Sequence, residues 1–298
     1  MPSFYAHERF GRAVAPQLSE QLRQTIADYA PCFQIGLQGP DVLFYYRPWR
    51  LGNRVAAYGV RLHKESARPF LMQAQQVIAR EGRESRAYAY LLGFLCHYVL
   101  DSECHPYVNA TMRKTGAGHL MIEAEFDKYL LRKDGKEPLS WPVADHIPTD
   151  QETKETLALF YPDITAHEAE AALSDFQKIK RLLTAPGAAK QMLIDLILRF
   201  SFHYHEYSGL MLRRRDDPRC KESNQELAAL FERCVPLAAE RIAAFDACLC
   251  LGRAPGLEFS KNFEGEKPQK EQTDSKKFHG TAAPHPQSRV HGADSVRL

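Results

Sequence analysis

The chain has 298 residues, of which 44% are hydrophobic and 26% are charged, and its formal net charge is +2. This length and apolar content suffice for a hydrophobic core in one large domain or two small ones. The near balance of charges excludes the strongly basic composition of a nucleic-acid binder, so we expect a local site to attract any substrate.

Apolar residues recur at helical spacing along the chain, as in the stripe formed by Leu18, Leu22 and Ile26. Residues 188–212 are almost wholly apolar on one side, and no run of residues alternates convincingly as strands do. The sequence therefore predicts an all-α fold, a multi-helix bundle. In chain order the predicted helices span residues 5–14, 16–29, 64–81, 86–105, 119–133, 150–160, 165–184, 187–213 and 222–250.

Glycine and proline separate these helices at GPD (39–41), RPWRLGN (47–53), TGAG (115–118) and the proline-rich segment 137–148. After Pro255 charged, glycine, proline and histidine residues replace apolar ones. We therefore predict a helical domain over residues 1–255 and a disordered tail over 256–298. The tail residues His279, His285 and His291 are expected to play no part in a site.

The first residues, MPSFYAHERFGRAV, contain no apolar stretch of signal-peptide length. The longest apolar run, Ala87 to Leu100, falls short of the roughly 20 residues that span a bilayer. The seven cysteines are scattered and form no CxxC pair, which is typical of a protein in a reducing compartment. We expect them to be small core residues. We therefore expect a cytoplasmic protein without a transmembrane segment.

The segment 97–123 carries side chains of the types that bind metals. His97, Asp101 and His105 are four residues apart, and His119 and Glu123 repeat this spacing. Residues four apart lie on one helix face about 6 Å from each other at Cβ. His97 and Asp101 also interrupt an apolar helix, where an unpaired carboxylate would cost several kcal/mol. A bound cation is an economical partner, and zinc prefers imidazole and carboxylate ligands.

Three further candidates precede this segment. His7 lies on the first predicted helix, Asp41 lies in the GPD turn, and His63 begins the helix HKESARPFL. Each can aim inward from a helix end or a loop. Taken singly, however, a histidine is more often a hydrogen-bonded core or surface group, and Asp41 could simply cap a turn.

Other polar residues leave alternatives open. Asp127, one turn after Glu123, could be a further ligand, a carboxylate that orients a ligand, or an exposed helix residue. His203 and His205 are two residues apart and cannot both join one site from one helix.

Taken in order, these residues resemble the ligand set of the bacterial zinc-dependent phospholipase C family. That family includes secreted phosphatidylcholine-hydrolysing enzymes and the catalytic domain of clostridial α-toxin, and it shares its all-helical fold with the P1/S1 nucleases. The resemblance covers roughly residues 1–250 and rests on eight ligand-type residues in the family's order: His7, Asp41, His63, His97, Asp101, His105, His119 and Glu123.

The resemblance implies zinc ions in a cleft and assigns ligands to each. The first ion would be held by Asp41, His63, His97 and Asp101, the second by His105, His119 and Glu123, and the third by His7 with a bridging Asp101. The secreted members complete the third site with an N-terminal tryptophan that this chain lacks, so two or three ions are expected. The interval from Asp101 to His105 is also shorter than the family's usual spacing. Asp41 is the family's candidate general base.

The implied activity is phosphodiester hydrolysis, in which a metal-activated water attacks a phospholipid-like phosphate ester. The chain offers no Ser/His/Asp arrangement or GxSxG motif that would supply a side-chain nucleophile. Two alternatives remain: a P1-like nuclease or nucleotide phosphatase, and a metal-binding helical protein without catalysis. Because the net charge is nearly neutral, no stable nucleic-acid partner is expected.

Overall fold

The computed structural model describes residues 4–50, 52–200 and 208–267, and these residues form helices and no β-strand. The predicted all-α class is thereby confirmed. The α-helices are α1 (Phe4–Val14), α2 (Glu20–Asp28), α3 (Ala30–Gly36), α4 (Arg54–Lys64), α5 (Ala67–Glu81), α6 (Arg86–Thr115), α7 (His119–Lys133), α8 (Gln151–Phe160), α9 (Ala166–Leu183), α10 (Ala188–Phe200) and α11 (Lys221–Cys250). Short 3-10 helices span Ala15–Gln17, Gly39–Tyr45, Val143–His146, Ser208–Leu210, Pro218–Cys220 and Leu257–Phe259.

Helix α6 lies at the centre of the core. Every side chain from Ala87 to Asp101 is buried, which explains why this stretch is apolar all round. The side chain of Ser85 caps its first turn, and Gly116 ends it in a left-handed conformation. The helix continues through Pro106, so the end predicted at residue 105 was wrong: packing outweighs the one hydrogen bond that a proline removes.

Helices α3 and α6 pack with their backbones in close contact. A Cβ atom at Gly36 would lie 2.1 Å from the carbonyl oxygen of Tyr90, and one at Gly93 would lie 2.3 Å from that of Phe33. Only glycine fits at these two positions. The close approach brings the 3-10 helix Gly39–Tyr45, which follows α3, beside α6. Helix α3 was not predicted, because it is short and follows α2 almost directly.

Two helices occupy the region where one helix, 64–81, was predicted. Helix α4 is capped by Asn53, whose side chain accepts hydrogen bonds from the N–H groups of Val55 and Ala56, and α5 is capped by Ser66. His63 is therefore the second-last residue of α4 and does not begin a helix, as the sequence analysis had proposed. The missed signals were the two capping side chains.

Of the helix predicted over residues 187–213, the described part is α10, Ala188–Phe200, and residues 201–207, including His203 and His205, lie outside the described residues. Chain beyond them forms a 3-10 helix, in which Gly209 packs against the backbone of Leu120 and Met121. This close approach holds Gly209 against α7.

The described chain after α11 folds back onto the core. Phe259 and Phe263 are buried, and the described residues up to 267 belong to one compact unit with the helices. The first part of the segment assigned to the tail thus contributes to the domain, and the remainder lies outside the described residues. Within the described chain, none of the helices combines the length and the apolar character that a bilayer span needs.

Candidate metal centre

All eight side chains predicted as metal ligands meet in one region of the core. Their ligand atoms form three groups, each with its atoms within 4.8 Å of one another: Asp41, His63 and His97; His7, His97 and Asp101; and His105, His119 and Glu123. Helices α1, α4, α6 and α7 and the 3-10 helix Gly39–Tyr45 supply them. Seven of the eight residues are buried, and His119 is partly exposed.

The first group joins Asp41 to two imidazoles. The Nε2 atom of His63 lies 2.7 Å from Asp41 Oδ1, and that of His97 lies 3.9 Å from the same oxygen. On the far side of each ring, Nδ1 of His63 contacts the carbonyl oxygen of Gly59 at 2.8 Å, and Nδ1 of His97 contacts that of Leu37 at 3.1 Å. A carbonyl only accepts hydrogen bonds, so each Nδ1 carries a proton. In the neutral rings Nε2 is then a bare acceptor that faces a carboxylate.

The pKa values in this group favour an ionised carboxylate. Burial disfavours the charge on Asp41, but nearby positive charge, including that of His63 and His97 when they are protonated, outweighs that cost and holds the pKa of Asp41 below its ordinary value. Burial also lowers the pKa of His97, which favours the neutral ring that a metal requires.

The group of His105, His119 and Glu123 joins one carboxylate to two imidazoles. The Nε2 atom of His105 lies 3.4 Å from Glu123 Oε1, and that of His119 lies 3.0 Å from it. Burial opposes charge on these groups, but His119 and His105 lower the pKa of Glu123 to about 2. Burial is likewise outweighed at His105, where Asp101 and Glu123 raise the pKa to about 10. In this cluster the cost of burying Glu123 is therefore offset by opposite charge, either from the imidazoles or from a shared cation.

The remaining group, of His7, His97 and Asp101, is centred on the carboxylate of Asp101. Its Oδ1 lies 3.2 Å from Nε2 of His7, and its Oδ2 lies 3.2 Å from Nε2 of His97. His105 Nε2 lies 4.0 Å from the same carboxylate. The rings of His7 and His97 stack with their centroids 4.3 Å apart. His97 therefore belongs to two groups, whereas the family resemblance had implied Asp101 as the shared residue.

Several buried atoms in this region make no hydrogen bond within the described residues. They are Nδ1 of His7, Nε2 of His97, Oδ2 of Asp101, Nε2 of His105 and Oε2 of Glu123. Leaving a buried polar atom unsatisfied costs about 1–3 kcal/mol, and more where the group is charged. Imidazole nitrogens and carboxylate oxygens are the donors that zinc prefers. The donor set and its unsatisfied atoms therefore fit bound zinc.

Gly39 makes room for the ring of His97. It has a φ of +50°, and a Cβ atom there would lie 2.4 Å from Cδ2 and 2.8 Å from Nε2 of His97. Both the backbone conformation and the missing side chain are needed, which explains the glycine in the GPD turn. Two residues later in the same 3-10 helix, Asp41 enters the site.

Asp127 anchors the helix that carries His7. Its carboxylate accepts hydrogen bonds from the backbone N–H groups of Tyr5 at 3.1 Å and Ala6 at 2.8 Å. An anion at a helix N-terminus also interacts favourably with the helix dipole. Asp127 is therefore not an exposed helix residue. It is a buried carboxylate that positions α1, the helix that carries His7. It is absent from the three ligand groups of the described residues.

Phe263 closes the site from the chain that follows α11. Its carbonyl oxygen lies 2.7 Å from Nδ1 of His105, and its ring lies against His63 with a centroid distance of 4.8 Å. From the sequence, Asp127 was one candidate for a carboxylate that orients an imidazole. The structure uses backbone carbonyls of Gly59, Leu37 and Phe263 instead, and no residue type in the sequence signals such an acceptor.

Other polar residues and the cysteines belong to none of the three groups. His146 stacks on Trp141 and lies 3.7 Å from a carboxylate oxygen of Glu8. All seven cysteines are free, and Cys96 and Cys104, next to the ligands in sequence, are buried. Their packing role agrees with the sequence analysis.

A small cavity of about 30 Å³ adjoins the ligands. Its walls include His7, Asp101, His105 and Glu123 and otherwise apolar side chains. This volume is large enough to hold a water molecule.

A comparison with family models matches residues 6–172 to a family described as zinc dependent phospholipase C. The matched range is more than half of the chain and holds all eight residues of the three groups. Searches of curated proteins and of solved structures find no match.

Proposed function

This chain belongs to the zinc dependent phospholipase C family, and on that premise we propose that it hydrolyses a phospholipid or a closely similar phosphodiester. The observation that carries the proposal is the convergence of eight imidazole and carboxylate side chains, several with buried, unsatisfied atoms. Such a donor set suits zinc, and clustered zinc suits phosphodiester hydrolysis.

We assign two or three zinc ions to the three groups. Asp41, His63 and His97 would hold one ion, His105, His119 and Glu123 a second, and His7 with Asp101 and His97 a third. The third assignment is supported by the 3.2 Å contacts of Asp101 with His7 and His97. When bound, zinc supplies a Lewis acid that lowers the pKa of water and neutralises charge on the phosphoryl oxygens.

Asp41 is the proposed general base. Its carboxylate stays ionised because nearby positive charge compensates its burial, so it can orient a water molecule and take one of its protons. The water oxygen forms a bond to phosphorus while the bond from phosphorus to the alcohol oxygen breaks. The products are an alcohol and a phosphate monoester, and the leaving alkoxide gains a proton.

The surrounding residues fix the imidazoles in place. The carbonyls of Gly59, Leu37 and Phe263 hold the protonated Nδ1 atoms, so each Nε2 atom points into the site. The rings of Phe44 and Phe263 lie against His63 at centroid distances of 5.0 Å and 4.8 Å, and they exclude water from its faces.

Zinc content and substrate preference test the proposal together. Elemental analysis of the purified full chain should give two or three zinc per chain, and only trace metal would refute it. Activity should be compared on phosphatidylcholine, bis-nitrophenyl phosphate and single-stranded DNA. We expect hydrolysis of the first two, whereas a preference for DNA would indicate a nuclease, and a zinc-loaded but inert protein would indicate metal binding without catalysis.

The variant Asp101→Asn should lower both zinc content and activity, because it removes charge from the carboxylate that contacts His7 and His97. Asp175→Asn is the matched control. Asp175 is also a buried carboxylate, but it accepts a hydrogen bond from the backbone of Arg47 and belongs to none of the three groups. It should retain zinc.

A further inference from the structure

Helix α10 presents large apolar side chains to solvent. Met192 is 73% exposed, Leu193 57%, Leu196 51% and Ile197 60%. At about 100° per residue these positions lie on one half of the helix circumference. We call these four residues the outer face of α10. Contiguous exposed apolar residues of this kind mark an interaction site in a folded protein.

Two polar side chains of α10 are held by neighbouring parts of the protein. Lys190 donates hydrogen bonds to the carbonyl oxygens of Arg181 and Thr184, and Asp195 pairs with Arg213 at 2.7 Å. A helix that packs on a core normally turns its apolar side inward. Helix α10 buries Ile194 with Ala185 and Met211 in this way, yet the four apolar side chains of its outer face remain exposed, so this face is available to a partner.

Basic residues are frequent in the sequence on either side of the outer face, although Lys180 is buried and Arg213 pairs with Asp195. Residues 178–215 include eight lysines and arginines and two acidic residues, although the whole chain has a net charge of only +2. Arg181 precedes Leu182, whose side chain is 60% exposed, and Arg214 donates a hydrogen bond to the carbonyl oxygen of Pro186 at the start of α10. An apolar helix face with basic neighbours is complementary to an anionic lipid surface.

The chain on either side of α10 also leads toward the metal centre. Ala185, before the helix, and Leu210, after it, line a cavity of about 40 Å³ whose other walls include Phe4 and Asp127. Asp127 holds the N-terminus of α1, the helix that carries His7. A surface that contacts α10 would therefore lie beside a cavity that reaches the elements of the site.

We propose that the outer face of α10 and its basic neighbours dock the protein on an anionic phospholipid surface. This inference deepens the proposed function and rests on phospholipid being its substrate. A second copy of the chain is a less suitable occupant, because a symmetric dimer through this face would bring the same basic residues together.

The full chain should be sedimented with vesicles of phosphatidylcholine, with and without phosphatidylglycerol. We expect binding that is stronger to the anionic vesicles and weakens with added salt. The double variant Leu193→Gln/Leu196→Gln should weaken partitioning about tenfold or more, since each leucine loses its transfer into lipid. Arg181→Gln/Arg214→Gln should weaken binding to the anionic vesicles only.

The matched control is Leu251→Gln/Leu257→Gln, which changes two leucines that are 62% and 80% exposed outside α10. It should bind vesicles as the unchanged chain does. The proposal is overturned if the unchanged chain does not bind anionic vesicles, or if the α10 variant binds them equally well. Dissociation of a dimer by the α10 variant, with vesicle binding unaffected, would also overturn it by identifying a protein interface.

Hydrolysis of water-soluble bis-nitrophenyl phosphate separates docking from catalysis. The α10 variant should keep this activity while it loses activity on vesicles. A chain that docks through α10 but hydrolyses no ester would support docking and refute the proposed function.

Discussion

Replacing Gly39 by alanine should disrupt the metal centre without removing any of its ligands. The new Cβ atom would lie 2.4 Å from Cδ2 of His97, whereas carbon atoms in contact normally lie about 3.5–4.0 Å apart. The ring of His97 would have to move by about 1 Å. Because His97 belongs to two of the ligand groups, this shift affects both.

Two contributions to the loss can be separated. The φ of +50° at Gly39 penalises any side chain by roughly 1–2 kcal/mol of folding free energy. Displacement of a ligand by its neighbours typically lowers metal affinity about 10- to 100-fold, or about 1.4–2.7 kcal/mol. Gly116→Ala is the control for the first contribution alone, because Gly116 has a φ of +68° and an added Cβ atom there would meet no side chain within 4 Å.

The assay is competition for zinc with a chromophoric chelator, combined with urea unfolding of the zinc-free protein. Both variants should lose stability, but only Gly39→Ala should lose about tenfold or more in zinc affinity. If both variants bind zinc equally well, His97 either does not bind zinc or adapts to the added methyl group, and the reasoning from Gly39 is refuted.

Three further outcomes are expected. Asp127→Ala should cost about 2–3 kcal/mol in urea unfolding, because the N–H groups of Tyr5 and Ala6 lose a buried acceptor; a loss no larger than that of Asp150→Ala, a more exposed helix cap, would contradict this. Burial lowers the pKa of Lys180 to about 8 from 10.5, so between these pH values the unfolded chain binds more protons and the free energy of unfolding should rise with pH, by about 3 kcal/mol. Lys180→Met should remove this rise from a pH series of unfolding curves, and an unchanged series would contradict the lowered pKa. Chelation of zinc should lower the midpoint of unfolding, and zinc restored to about 100 times its Kd should recover about 2.7 kcal/mol, whereas a zinc-independent midpoint would count against a bound metal.

The sequence allowed the helical class and the candidate ligands to be predicted because both are encoded in spacing. Helix α7 coincides with its predicted range 119–133, and the ridge of His97, Asp101 and His105 follows directly from the four-residue repeat. Short helices were missed where capping side chains, such as Asn53, set the boundaries. Local patterns carry little weight over so few residues.

The arrangement of the site depends on contacts between distant segments, which spacing does not encode. The carbonyl of Phe263 at His105 and the carboxylate of Asp127 at α1 both join parts of the chain far apart in sequence. Likewise, the apolar character of residues 188–212 was visible in the sequence, but the exposure of four large apolar side chains on α10 was not. Which side of a helix is buried depends on the segments that the rest of the fold packs against it.

The contact between His105 and the carbonyl of Phe263 has a consequence for synthesis of the chain. Since His7 enters from the first helix and Phe263 from the last described segment, the centre is incomplete until nearly the whole domain has left the ribosome. Zinc acquisition would then come late, after the helices have packed. Retained metal would then indicate that both ends of the domain have folded into the centre.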